Sequence, residues 1–129
     1  MKLLLRIVTA LLAMVILLYA AMFYSTNNVI EDFKACVSGK DVSNGVEDAQ
    51  LYKYYNYKAD NGRAVDADVE IRRLFVLHNF KKGVMYVEYS CETFDEEGNT
   101  VYGAAGIPSK WYIERNNGRW EVVEIEEDP

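Results

Sequence analysis

The sequence predicts an α+β protein with an N-terminal transmembrane helix, followed by one or two helices packed on a curved four-stranded antiparallel meander. Three observations predict it. Residues 7–24 (IVTALLAMVILLYAAMFY) form an uncharged apolar run. Residues 29–37 repeat apolar side chains at helical spacing, and from residue 65 the period becomes two, with turn residues between the runs.

The only clearly polar residue in the first run is Thr9. A helix rises about 1.5 Å per residue, and a bilayer core takes roughly 20 apolar residues, about 17 sufficing. Residues 7–24 are therefore expected to span a membrane. Leu3, Leu4 and Leu5 extend the run where Arg6 snorkels back to the headgroups. Tyr19, Phe23 and Tyr24 gather at the far end, where amphipathic rings favour the interface. The competing reading is a cleaved secretory signal, whose apolar core is about 7–15 residues and whose cleavage site needs small residues. A cut after Ala20 puts Leu18 at the position that should be small, and a cut after Ala21 puts Tyr19 there. An uncleaved anchor is the expectation, and secretion would follow only from cleavage. Cys36 lies too far downstream for a lipobox, and MKLLLRIVTALL lacks a pilin-like processing site.

Basic flanks stay in the cytoplasm. Lys2 and Arg6 precede the run, whereas Glu31 and Asp32 are the first charges after it. This gives a single-pass protein of the cell membrane: residues 1–6 a cytoplasmic tail, 7–24 the anchor, 25–28 a polar hinge and 29–129 an extracytoplasmic domain.

The remaining residues, about 105, suit one compact domain. All 20 acidic residues lie there, against the 14 Lys and Arg less Lys2 and Arg6. This acidic balance disfavours nucleic acid, which needs a basic footprint, and argues against the domain lying flat on anionic lipid. The expected partners are the lipid bilayer through residues 7–24 and a protein or small ligand at the cell envelope. Cys36 and Cys91 sit in apolar patterns and read as buried thiols or as a disulfide. With His78 the single histidine and no C-x-x-C, neither a metal nor a cofactor is expected.

Each element follows from local chemistry. Ser25, Thr26, Asn27 and Asn28 offer cap oxygens to a helix whose stripe is Val29, Ile30, Phe33, Cys36 and Val37, and Gly39 ends it. Residues 46–57 read as a second helix, although their β-branched and aromatic side chains also suit a strand. Strands are expected over about 67–78, 84–94, 100–114 and 119–126, joined at residues 79–83, 95–98 and Asn117-Gly118. Pairing His78 with Val84 puts Val69, Ile71, Arg73, Phe75 and Leu77 on one face with Met85, Val87, Tyr89, Cys91 and Thr93. Pro108 implies a bulge, bend or edge position in the third strand. At the last hairpin, pairing Arg115 with Trp120 sets Ile113 against Val122.

Val29-x-x-x-Phe33-Lys34-Ala35-Cys36-Val37-Ser38-Gly39-Lys40-Asp41 is similar to the "helix, small residue, Gly-Asp" opening of the NTF2-like (cone-shaped α+β) superfamily. The stretch from Trp111 through Asn117-Gly118 to Trp120-Glu121-Val122 resembles its closing hairpin. The likeness spans roughly residues 29–126 and departs from the family over 42–65, where clearer helices are usual. It implies a helix-covered curved sheet with a concave pocket. The superfamily includes isomerases, dehydratases, ligand carriers and membrane-anchored scaffold subunits of secretion machines, so the fold alone does not choose a function.

Arg73 is the most informative candidate. The register places it inward beside Tyr89, where an unpartnered guanidinium would cost several kcal/mol. With Tyr89, and with Tyr52 and Tyr55 of the Leu51-Tyr52-Lys53-Tyr54-Tyr55-Asn56-Tyr57 cluster, it is a candidate ligand-binding group. The alternative is a bulge near Arg72-Arg73 that turns it to solvent. His78 ends a strand beside a loop and reads as a surface histidine, and the acidic runs near Asp95 and Glu126 read as solvated charge. No catalytic constellation emerges. The expected function is a membrane-tethered extracytoplasmic binding or interaction module, the alternatives being a small-molecule enzyme of isomerase or hydrolase type with a sheet-lined pocket, or a structural subunit of a cell-envelope assembly.

Overall fold

A computed structural model describes residues 1–38, Leu51, Tyr55 and 66–127. Two helices, α1 (Lys2–Tyr24) and α2 (Asn27–Ser38), precede four strands: β1 (Asp66–His78), β2 (Lys82–Phe94), β3 (Thr100–Asn116) and β4 (Arg119–Glu126). The strands form one open antiparallel sheet in the order β1-β2-β3-β4, a curved meander, and the fold is α+β as the sequence predicts.

α1 is long and apolar enough to cross a membrane, and none of its residues is buried by the protein. Thr9 Oγ1 donates to the Leu5 carbonyl at 2.8 Å, so the one polar side chain of the run is satisfied within the helix, as lipid requires. Only Ser25 and Thr26 separate α1 from α2. The polar hinge expected over residues 25–28 is therefore a two-residue joint, with Asn27 and Asn28 already helical and Thr26 fully buried. Ser25 Oγ donates to Met22 O and Thr26 Oγ1 to Phe23 O, both at 2.8 Å, occupying carbonyls that the break in the helix exposes.

α2 lies on the sheet with the predicted stripe: Val29, Phe33, Cys36 and Val37 are buried and Ile30 packs against them. Asn28 fastens it to β4, its amide donating to Trp120 O at 2.7 Å while its carbonyl accepts from Trp120 N at 3.4 Å. Asp32 pairs with Arg119 one turn further on. Leu51 and Tyr55, four residues apart, are helical and fully buried. The rest of the predicted second helix, Tyr52 included, lies outside the described residues. Cys36 and Cys91 are both thiols within the core.

The register of β1 corrects the sequence reading. His78 pairs with Gly83 rather than Val84, and a bulge between Arg73 and Phe75 shifts the phase once more. Beyond the bulge Ile71 faces Tyr89 and Val69 faces Cys91, inward as predicted. Towards the hairpin the phase inverts, burying Val76 and His78 and exposing Leu74, Phe75 and Leu77. The cause is local. A Cβ on Gly83 would stand 2.3 Å from both His78 Cβ and Leu77 O, so this hairpin closes tightly only where glycine pairs with His78. Pro108 pairs with Glu88 on one side, and β4 begins to pair only at Lys110, so the proline occupies an edge position. Arg115 pairs with Trp120 and Ile113 with Val122, as predicted.

Candidate functional site: the joint between the first helix and the sheet

β1 is an edge strand, and its exposed N–H groups need partners. The end of α1 supplies them. Val76 N–H donates to Tyr19 Oη and His78 N–H to Met22 Sδ, each at 3.4 Å. Tyr19 and Phe75 meet with ring centroids 6.4 Å apart.

Arg73 sits at the centre of this joint. Nη1 donates to Phe23 O at 2.9 Å and to Thr26 Oγ1 at 3.1 Å, and Nη2 donates to Asn27 Oδ1 at 2.6 Å. Its guanidinium carbon stands 4.3 Å from the centroid of the Phe23 ring, a cation–π contact. Burial lowers the guanidinium's pKa from its usual value, yet an arginine stays protonated. Arg73 is half-buried beside the bulge and answers its desolvation with acceptors of the protein itself. It does not meet Tyr89, because the bulge brings Val87 opposite Arg73 and leaves Tyr89 facing Ile71.

His78 completes the joint, and here too the structure corrects the sequence reading. It is 5 % exposed, sandwiched between Trp120 at 4.4 Å and Phe80 at 4.8 Å. Nε2 lies 2.9 Å from Met22 O and 3.1 Å from Ser25 Oγ, while Phe80 N–H points at Nδ1 from 3.0 Å. A carbonyl can only accept and an amide N–H only donate, so Nε2 carries the proton and the ring is neutral. Burial lowers the His78 pKa below 6.5, the Met22 carbonyl opposes this and the charge of Arg115 adds to it. The unfolded chain thus binds the proton at a higher pH than the folded one. Above that window the titration of His78 leaves stability independent of pH, and stability falls as pH drops through 6.5 towards the folded value. The urea midpoint of the full chain in detergent micelles should be lower at about pH 5 than at about pH 7.5, and His78→Gln should shrink that difference. An unchanged difference in the variant would remove His78 as its source.

The predicted tyrosines lie elsewhere. Tyr55 and Tyr89 fill the concave face with Phe33 and Trp111, the ring centroids of Phe33 standing 5.0–5.3 Å from the other three. Tyr55 Oη accepts from Trp111 Nε1 at 3.2 Å, lies 3.1 Å from Ser109 Oγ and donates to Glu127 at 3.1 Å. Its phenol pKa is raised, chiefly by burial. Glu127, which reads from sequence as part of a solvated tail, is therefore a partner of the core. Tyr52 lies outside the described residues. An open hollow of about 650 Å³ lies at the opposite end of the sheet, lined by Asp68, Glu70, Ser90 and Glu92. Among the described residues no group of three or more His, Cys, Asp or Glu is placed to hold a metal ion.

No family model matches the chain, and no curated protein matches it.

Proposed function

We propose that the protein is a membrane-tethered extracytoplasmic interaction module that holds one domain in a set orientation at the membrane surface. The observation that carries this reading is the joint: Arg73, Tyr19 and Met22 bind the end of an apolar spanning helix to the edge of β1. The positive flank of Lys2 and Arg6 supports a cytoplasmic N-terminus. A concave face filled by Phe33, Tyr55, Tyr89 and Trp111 favours recognition on an outer surface over chemistry inside the sheet. The likeness to the NTF2-like superfamily belongs to the same proposal, supported by a helix lying on a curved meander whose last hairpin buries Trp111 and Trp120.

Every Lys and Arg of the sheet lies at residues 72–82 or 110–119, in the half towards the anchor. Among the described strand residues the charges of the far half are all acidic, with Asp66, Asp68, Glu70, Glu92 and the turn at Asp95, although Lys34 of α2 lies beside Glu70, and this end suits a cationic partner. A photo-crosslinking amino acid at Glu97, on the distal turn, should capture one defined partner in intact cells. Repeated recovery of the uncrosslinked monomer alone would count against the module, and a reporter fused after Pro129 that signals from the cytoplasm would overturn the orientation.

A further inference from the structure

α1 runs beside β1 over its last turn and a half, so part of its apolar length is shared with the domain. Residues 3–18 are the stretch free of the sheet, and at 1.5 Å per residue they measure about 24 Å, short of a hydrocarbon core of about 30 Å. Residues 3–24 reach about 33 Å. The helix therefore matches the full thickness of the core when its docked turn also enters the membrane, and that turn carries the β1 edge with it.

What lies beside that turn is apolar and exposed. Leu74 is 51 % exposed, Phe75 41 %, Leu77 53 % and Phe80 39 %. Phe75 touches Tyr19 of the anchor, so this surface continues the lipid-facing surface of α1. Phe80 is held at a φ of 66°, a left-handed conformation that bulky residues avoid, and its ring stays partly exposed at the hairpin tip. Lys81 and Lys82 follow it, both exposed, and Lys81 O accepts from Arg115 N at 2.9 Å, bringing a third cation to the same rim. An apolar lip edged with aromatic rings and cations is the composition of a membrane–water interface, where rings sit at headgroup depth and Lys and Arg meet lipid phosphates.

We propose that Leu74, Phe75, Leu77 and Phe80 form a second membrane contact, seating the β1–β2 hairpin in the interfacial layer of the leaflet from which α1 emerges. This rests on α1 being a retained anchor, as in the function proposed above. Large exposed apolar patches otherwise mark protein docking sites. Continuity with the spanning helix selects lipid as the occupant.

The test uses the full chain reconstituted in phosphatidylcholine vesicles, with and without phosphatidylglycerol, and an environment-sensitive fluorophore on one introduced cysteine. The sites are Leu77→Cys on the lip, Asn99→Cys beyond the distal turn and Leu12→Cys within the span. The native cysteines are buried and react slowly, and the unsubstituted chain sets that background. Nitroxide lipids labelled near the headgroup should quench the label at position 77 severalfold more than that at position 99, and phosphatidylglycerol should deepen the effect. Quenching at position 12 by lipids labelled deep in the acyl chain, with a water-accessible label at position 77, would overturn the seating while leaving the anchor standing. Absence of that deep quenching at position 12 would overturn the anchor and the seating together. A label at position 77 shielded from both lipid and aqueous quenchers would show the lip covered by protein, and would also overturn the seating.

Discussion

Trp111→Ala should lower the stability of the domain by about 3–5 kcal/mol, the range for removing a buried tryptophan. The indole is fully buried and packs on Phe33 and Tyr55 with centroids 5.3 and 5.9 Å away. Its Nε1–H also forks between Ser109 Oγ at 2.9 Å and Tyr55 Oη at 3.2 Å. Truncation thus opens a cavity and withdraws the donor from two buried hydroxyls, and both effects act in one direction. Trp111→Phe refills most of the space but not the donor, and should cost about 1–3 kcal/mol. Since a domain of this kind has roughly 5–15 kcal/mol in all, the alanine variant should show a much reduced urea midpoint in micelles. A change below about 1 kcal/mol for Trp111→Ala would mean that the concave face is not the packed core described above.

The second large effect belongs to Arg73. Arg73→Ala should cost about 2–3 kcal/mol, because it withdraws charge-assisted donors from Phe23 O, Thr26 Oγ1 and Asn27 Oδ1 and removes the cation over the Phe23 ring. Arg73→Lys should recover only part of this, since an ammonium cannot reproduce the planar fork. Its neighbour is the internal control. Arg72 pairs with Glu88 at 3.2 Å on the exposed face, and Arg72→Ala should change stability by no more than about 0.5 kcal/mol. The two variants separate further in hydrogen exchange: release of the joint should speed exchange of the Val76 and His78 amides in Arg73→Ala and leave Arg72→Ala unchanged. Equal behaviour of the pair would place Arg73 outside the joint's energetics.

Much of this architecture was legible from residue order. The meander was readable because Asn117-Gly118 and the stretch from Asp95 to Gly98 carry turn chemistry that allows few alternatives. The latter closes through Asp95 Oδ1, which accepts from Glu97 N and Asn99 N. The phase of β1 was not readable. Leu74, Phe75, Val76 and Leu77 are all apolar, so alternation is silent over four residues, and the bulge that resets the face falls within them. Arg73 was identifiable as a residue needing an answer to its burial, but the answer lies 46–50 residues away, at the end of α1 and the start of α2. His78 gave the opposite signal to the true one, because a strand-end histidine beside a lysine-rich loop carries no trace of Trp120 above it or Met22 O beside it. Tyr55 stands out by the density of its tyrosine cluster and Tyr89 by its inward register beside Arg73, and both signals serve packing as readily as recognition.

Under the tethered-module proposal, the two-residue joint would set the height at which this protein presents its far end. A domain on a flexible linker sweeps a volume, and its binding surface has no fixed distance from the lipid. Here α1 and β1 share hydrogen bonds, so the sheet is held like a blade in a socket. At about 3.3 Å per residue the thirteen residues of β2 carry the turn at Asp95 up to about 40 Å from the hairpin at the anchor. Under the tethered-module proposal that length would act as a ruler, setting the standoff at which a partner has to arrive.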